Sequence, residues 1–507
     1  MTKSNNQQDY MSVKINGNDA TWILTSSFII FTMQTGFSLL QSGMVRRKNQ
    51  ISIMIMNMFN PIVSGLTYWF IAYGFTETSS SSNEFIGLSN FMTDSIEPNM
   101  GQLFASYTYK LSTMSTATNV VLGAMAERIN FIPYLIYSVG ITIAFSIPSY
   151  WVSSPRGFLH KLGTVDVAGC SFIHLAGGTA GLVATILLKP RIGRFQPPYE
   201  SYGMSDPTNS LLGTYMLWWG WVGFHMSSTF GVSNGRWNYC TRSAVCSIIS
   251  SSIGGFTAIL FSYVFHNRQI NIKIFVCGLF SGMVAVSGGC TLFNPQQALL
   301  VGFIGSLCSM ATMPILKKLQ IDDPTQTIAI HAISSIWGML SIGLMISRNT
   351  LFNATHSGLF QSGSFHLFGS QIAAILAVGI WSAMMSYLIL KGIMVLLPIR
   401  IDKELEEVGI DLSLNNINTD LDWDKILMPN PGPTFTSSTT RRKTRQKLMK
   451  VVNAMIAVQR LIQLSSKNRF RRHIKAYNTK VLAQSWSAVQ PLVTSARVRP
   501  AHTEPHA

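Results

Sequence analysis

Charge is what this sequence has least of. Only 12% of its 507 residues are Asp, Glu, Lys or Arg, where a soluble chain of this size carries about a quarter. Acids are the scarcer sign: 21 Asp and Glu stand against 38 Lys and Arg, for a formal net charge of +17. Residues 441–503 hold no acid at all, so much of the excess sits there and says little about the core. With 47% hydrophobic residues and a positive mean hydropathy, the composition excludes an ordinary soluble domain. It describes an integral membrane protein with many spans, and no nucleic-acid partner is expected.

Paired cysteine spacing is also missing. The six cysteines stand at 170, 240, 246, 277, 290 and 308, most in or beside apolar runs. They read as small buried residues, and no metal is expected. No H-E-x-x-H occurs and the acids lie at the ends of apolar runs, so neither enzyme chemistry nor a cofactor is expected. The polar start M-T-K-S-N-N-Q-Q-D-Y is not a signal peptide, so the first span must insert by itself.

What is present is organised around residues 165–191, V-D-V-A-G-C-S-F-I-H-L-A-G-G-T-A-G-L-V-A-T-I-L-L-K-P-R. The stretch can cross a bilayer as a helix, which needs roughly 20 apolar residues. It carries Asp166 at one end and His174 well inside. A titratable residue in a span is costly and marks a functional site by default. The pattern recurs once, in D-P-T-Q-T-I-A-I-H-A-I-S-S-I-W-G at 323–338. Asp323 stands eight residues before His331, as Asp166 does before His174. Gly338 and Gly181 each follow their histidine by seven. Two such matches suggest an internal repeat of the kind many transporters carry. Either histidine alone could be a satisfied polar group bonded to a neighbouring helix; a symmetric pair makes that reading weaker.

Eleven apolar spans can be drawn, at 21–43, 51–76, 101–126, 131–152, 165–188, 209–230, 242–265, 272–292, 295–315, 325–346 and 370–397. Phe293-Asn294 is a very short connection, so the split between the eighth and ninth is the least secure. The fold class expected is an all-α polytopic membrane protein. Loops after odd-numbered spans are rich in Lys and Arg (Arg46-Arg47-Lys48, Arg128, Lys189, Arg191, Arg194, Arg268, Lys273, Lys317-Lys318), and the others are poorer. That asymmetry puts the N-terminus outside and the C-terminus in the cytoplasm. Asn353 heads an N-glycosylation sequon on a loop this scheme places outside. The two repeats then run in opposite directions. Each histidine lies about 12 Å deeper than its aspartate at helical rise, so in a core ~30 Å thick the two end near the same depth.

The chain divides into an extracellular segment 1–20, a membrane domain 21–397, a tail segment and linker 398–440, and a basic tail 441–507. Residues 429–440 read as linker. Residues 441–478 read as a basic amphipathic helix, with Leu448, Val451, Val452, Met455, Leu461 and Ile462 among the bases. Calmodulin or an anionic lipid surface are its candidate partners, beside the plainer reading of a solvated basic tail.

Five stretches resemble motifs of the ammonium transporter family (Amt/Mep/Rh), most closely the Amt branch. They are G-F-S-L-L-Q-S-G-M-V-R-R-K-N (36–49), G-A-M-A-E-R-I-N-F (123–131), V-D-V-A-G-C-S-F-I-H-L-A-G-G-T-A-G-L-V-A (165–184), L-W-W-G-W-V-G-F-H-M-S-S (217–228) and D-D-P-T-Q-T-I-A-I-H-A-I-S-S-I-W-G (322–338). The likeness covers about 20–415 and ends with E-L-E-E-V-G-I-D in the early tail. It implies eleven transmembrane helices with an inverted repeat of spans 1–5 and 6–10, and a homotrimer with one pore per subunit. It implies uptake of ammonium, and of methylammonium as an analogue, most naturally at the plasma membrane. His174 and His331 match the pore pair, Asp166 the aspartate that shapes the outer site, Phe224 an aromatic gate and Trp221 its neighbour. Ser228 matches the hydroxyl that holds the ion. Taken alone, Phe224 and Trp221 could be packing residues and Asp166 a helix cap.

The entrance departs from the pattern. Thr113 stands where the family usually has Phe, with Tyr109 one turn earlier and Lys110 beside it. Ser153 or Ser154 takes the place of a family Trp, with Trp151 two or three residues away. A basic, aromatic-poor entrance would hold a cation weakly. The alternative function is therefore an ammonium sensor or regulatory subunit that keeps the scaffold and conducts poorly.

Overall fold

The computed structural model describes residues 15–196 and 202–413. Among them there are no strands, only two isolated antiparallel bridges, Ile129 with Arg400 and Asn349 with Ala354. The body is helical throughout. Its long rods, in chain order, are α1 (Gly17–Met44), α2 (Arg47–Thr76), α3 (Met100–Met125), α4 (Phe131–Ser153), α5 (Cys170–Leu188) and α6 (Pro207–Ser227). They continue with α7 (Arg236–Phe265), α8 (Ile272–Ser287), α9 (Pro295–Lys318), α10 (Ile328–Met345) and α11 (His366–Leu396). Eight of them, all but α3, α6 and α8, are long and apolar enough to cross a membrane. The basic segment 441–478 and the linker before it lie outside the described residues.

The molecule is built inside out relative to a soluble protein. Large apolar side chains such as Phe28, Ile62, Trp219, Phe256 and Ile380 are exposed on the outer faces, while α3 buries Ser112, Ser115, Thr116, Thr118 and Asn119. A lipid-facing surface has no reason to hide Phe or Ile. The interior can take hydroxyls because many bond back to a carbonyl of their own helix: Thr116 to Ser112 O at 3.1 Å, Ser247 to Ser243 O at 2.7 Å. That polarity is why α3 reads as a weak span although it is long.

Helix ends follow local chemistry. Asn294 caps α9 in a reciprocal capping box with Gln297, and Pro295 follows at the first helical position. The short connection between the eighth and ninth spans is therefore a real break, and α8 closes at Ser287 rather than near 292. α7 starts at Arg236, earlier than the apolar run suggests, because Arg236 is drawn in by Asp19 at 2.7 Å.

α5 and α10 begin later than expected, for one shared reason. Asp166 stands outside α5 and accepts from the backbone N–H groups of Cys170 (2.8 Å) and Ser171 (2.7 Å). Asp323 does the same for Thr327 (3.0 Å) and Ile328 (2.7 Å) at the start of α10. Both aspartates bond at i+4 and i+5, so the repeat extends to its capping geometry. A wide, π-helical turn follows in each, Cys170–Leu175 and Ile328–Ile333, and each histidine sits in it. The two helices cross at Gly178, where a Cβ would stand 2.3 Å from Ala332 N. Nothing larger than glycine permits that approach.

The early tail is less separate than its composition suggests. Residues 398–411 pack on one face of the body. Asp411 accepts from Ser52 N at 2.7 Å, Glu406 from Ile192 N at 2.8 Å, and Arg400 donates to Leu188 O at 2.6 Å. Buried Glu406 and Asp411 need donors, and the helix ends on this face supply them.

That face also carries an ion network. Arg191 is paired with Glu127 and fastens Asp322 through Nε (2.7 Å) and Nη2 (2.8 Å), and Arg46 adds a second partner to Glu127 at 2.5 Å. Burial alone would push both carboxyls up. Arg191 overrides it, with Arg46 at Glu127 and Arg128 at Asp322, and holds both below the usual carboxylate range.

Candidate functional site

His174 and His331 meet in the middle of the body. Their Nδ1 atoms are 3.3 Å apart and their ring centroids 5.3 Å. With both rings neutral, one Nδ1 donates to the other, and the tautomer decides which of the two is the donor. Both residues are buried, and among the described residues His174 Nε2 has no hydrogen-bond partner. An unpartnered buried nitrogen is costly, and here it can accept a hydrogen bond from a small molecule.

Trp221 from α6 lines the same space. Its ring lies 4.9 Å from His174 and 5.9 Å from His331, nearly parallel to the latter at 7°, with Phe280 stacked behind at 5.5 Å. Phe224, one turn further along α6, is buried and forms part of the wall of a cavity of about 50 Å3. Ser228 lies one more turn on and lines that cavity as well. Its hydroxyl donates to Phe224 O at 2.9 Å, so the Tyr109 hydroxyl, also at 2.9 Å, donates to Ser228. One lone pair of Ser228 then remains for a cation. Tyr109 is held edge-on by Phe230 at 5.3 Å. The cavity has room for a water-sized guest, since a water occupies about 30 Å3 of liquid.

The entrance residues separate into two groups. Lys110 and Thr113 line the small cavity, and Lys110 also lines a larger open cavity of about 650 Å3. Thr113 Oγ1 is turned back to Lys110 O at 2.9 Å. Ser153 lines both spaces, and Ser154 lines the larger one while bonded to Thr78 at 2.8 Å. Trp151 takes no part. Its indole donates to Phe85 O at 2.6 Å and its ring is packed among Phe85, Phe158 and Trp381. Asp166 is spent on capping α5. Asn353 is half-buried, and its amide donates to His160 O at 2.9 Å and Thr164 O at 3.2 Å, on the side where Asp166 begins α5.

Three residues join the site that sequence reasoning did not single out. Glu77, at the end of α2, is ion-paired with Lys110. Phe230 closes the outer side of Tyr109. His225 is buried beside Phe224, with its ring nitrogens bonded to Ser247 (2.7 Å) and Ser287 (2.8 Å). Glu77 lies 33 positions from Lys110, so no local spacing could have paired them. His225 lies inside the motif at 217–228 but has no counterpart in the repeat.

Comparison with known proteins identifies the family. The Ammonium Transporter Family profile matches residues 21–416. The "Putative ammonium transporter 3" of Caenorhabditis elegans is 38% identical over 413 residues, 79% of this chain and 60% of that protein, so the match spans under two thirds of that relative. The "Putative ammonium transporter 2" of the same organism is 35% identical, over 79% of this chain and 82% of the relative. Among solved structures, a "Sensor Amt Protein" superposes with a TM-score of 0.72 at 26% identity, covering 78% of this chain and 98% of that one. Mep2 of Candida albicans shares the fold with a TM-score of 0.69 at 22% identity, covering 78% and 90%. The matched span runs from within α1 through α11 and includes both aspartate-capped histidine helices, and the chain belongs to the ammonium transporter family.

Proposed function

We propose that the protein carries ammonium across a membrane as NH3, through the space between His174 and His331. The observation that carries this reading is the hydrogen-bonded histidine pair at the crossing of two like-capped helices, lined by Trp221. A bare cation in a low-dielectric pore costs several kcal/mol, and neutral NH3 avoids that cost. In this mechanism NH4+ collects in the larger cavity, the outer vestibule, and passes to the smaller one, where Ser228 accepts from it and Phe224 separates it from the pore. There it gives up a proton to the water outside. NH3 then moves past Phe224 and bonds to the histidines, which donate to and accept from it in turn. Methylammonium takes the same route.

All eleven rods are read as spans, with the Asn353 side outside and the face carrying 398–411 in the cytoplasm. The trimer, the plasma membrane, glycosylation at Asn353, and calmodulin or anionic lipid at 441–478 belong to the same reading. A reagent that cannot cross membranes should reach a tag in the loop at 355–365 in intact cells, and a tag at the C-terminus only after permeabilisation. Both tags on one side would overturn the orientation.

The direct test is uptake of labelled methylammonium in a cell lacking its own ammonium transporters. Saturable uptake supports transport. A silent wild-type protein at full surface expression favours the second reading, an ammonium sensor or regulatory subunit. Lys110 at the entrance and the likeness to the structure titled "Sensor Amt Protein" are the observations on that side.

A further inference from the structure

We propose that Glu77 is the cation-binding residue at the mouth of the pore, and that the Lys110 ammonium occupies it as a tethered substitute for the substrate. The idea rests on the transport reading above and deepens it. The ligand class is ammonium and small primary alkylammonium ions.

The position of Lys110 comes first. The outer vestibule and the inner cavity share Thr76, Lys110, Ser153 and Phe230 in their walls, so Lys110 stands at their junction. It follows Tyr109, whose hydroxyl holds Ser228. A cation moving from vestibule to Ser228 must pass its charge.

The partner chemistry comes second. Lys110 Nζ is paired with the Glu77 carboxylate and lies 5.8 Å from the centre of the Tyr73 ring. A carboxylate and an aromatic face are what a small ammonium ion seeks. A lysine side chain ends in the same primary ammonium group as methylammonium, with three donors and one charge. Both side chains are 22% exposed, so the pair is neither solvated freely nor sealed. The Thr76 hydroxyl gives its proton to Tyr73 O at 2.8 Å and lies 3.3 Å from Glu77 Oε1.

The other charges of the vestibule do not replace Glu77. Asp94 accepts from Ser95 N at 2.8 Å, and Arg156 donates to Ser79 O at 2.6 Å. Glu77 is the carboxylate joined to the residue at the inner cavity. Entry is then an exchange: NH4+ takes the Glu77 carboxylate while Lys110, on a flexible four-carbon stem, swings into the vestibule. Apparent affinity falls by the fraction of time the site is self-occupied.

The test uses Lys110→Gln, Glu77→Gln, the double variant, and the swap Lys110→Glu with Glu77→Lys, all in the full chain at matched surface expression. Methylammonium uptake is read for half-saturation. Lys110→Gln should lower it by about tenfold, the self-occupancy being removed. The double variant should lose that gain, Glu77→Gln should raise the half-saturating concentration, and the swap, which keeps the ion pair, should return towards wild type. Equal half-saturation for Lys110→Gln and the double variant would overturn the assignment.

A second readout needs no conduction. Methylammonium chloride, against a sodium chloride control, should stabilise the purified Lys110→Gln protein to heat at about tenfold lower concentration than wild type. It should not stabilise the double variant. Stabilisation in this pattern with no uptake by any variant supports the Glu77 site and refutes the transport reading alone. Equal stabilisation of all the proteins, or of none, refutes the Glu77 site.

Discussion

On the proposed mechanism, replacing either His174 or His331 with alanine should reduce selective methylammonium uptake by about a hundredfold, the usual scale for removing a positioned proton-handling group. His174→Ala and His331→Ala should each do nearly all of this damage. The double variant should add little, because the 3.3 Å contact makes the rings one unit. His174→Ala also opens a void under Trp221, against which the ring is packed at 4.9 Å. Water entering that void would turn a selective pore into a leak. The measurement is uptake together with ammonium-evoked current in a transporter-null cell. Uptake indifferent to both substitutions, or fully additive losses, would count against the pair as the site.

The second large effect concerns stability. Arg191→Met should destabilise the protein by about 3–5 kcal/mol, the cost of stranding buried carboxylates without their partner. Arg191 is buried and bonds both Glu127 and Asp322, while Arg194 reaches Asp322 only at 3.3 Å. The pH dependence separates charge from packing. In the wild type both carboxyls are held below their ordinary range, so their stabilisation is present above about pH 4. It is lost as the pH falls through the folded values. Without Arg191, burial is opposed only by Arg46 at Glu127 and by Arg128 and Arg194 at Asp322, so those carboxyls move up and the penalty eases when they protonate. The gap in melting temperature between wild type and variant should therefore be widest at neutral pH and narrow in acid. A gap that does not change with pH would assign the loss to packing.

Arg191 also ties the two halves of the repeat together. It follows α5, and Asp322 precedes α10 by a few residues. A loss of the network should loosen the face where Glu406 and Asp411 of the early tail are seated.

Much of this protein was legible before any coordinates. Continuous apolar runs of bilayer length, in a chain with so little charge, favour helices over barrel strands, and a helix satisfies its backbone polar groups within its own segment. The Asp–His–Gly spacing exposed the repeat, since a titratable residue inside an apolar run is too costly to be incidental. Span ends were legible where a cap stands in the sequence, as at Asn294-Pro295, and were misjudged where a distant partner decides, as at Arg236 with Asp19.

Tertiary structure alone decided the rest. Asp166 fell inside a drawn span and Asp323 just before one, and only the folded backbone shows that both cap their helices in the same way. Lys110 reads as a bare charge where a cation should be drawn in. Its neutralising partner lies on another helix, and helix packing rather than spacing along the chain creates that pair. Trp151 stood within reach of the entrance by number, yet the rotation of α4 sends it among Phe85, Phe158 and Trp381. The segment 398–411 reads as a polar tail, and becomes part of the body because helix ends offer the donors its buried acids need. Local sequence carries hydrophobic period, caps and repeats, since these depend on neighbours along the chain. Which side chain faces which across two helices depends on rotation and crossing angle, and those are settled by contacts such as Gly178 against Ala332, 154 positions apart.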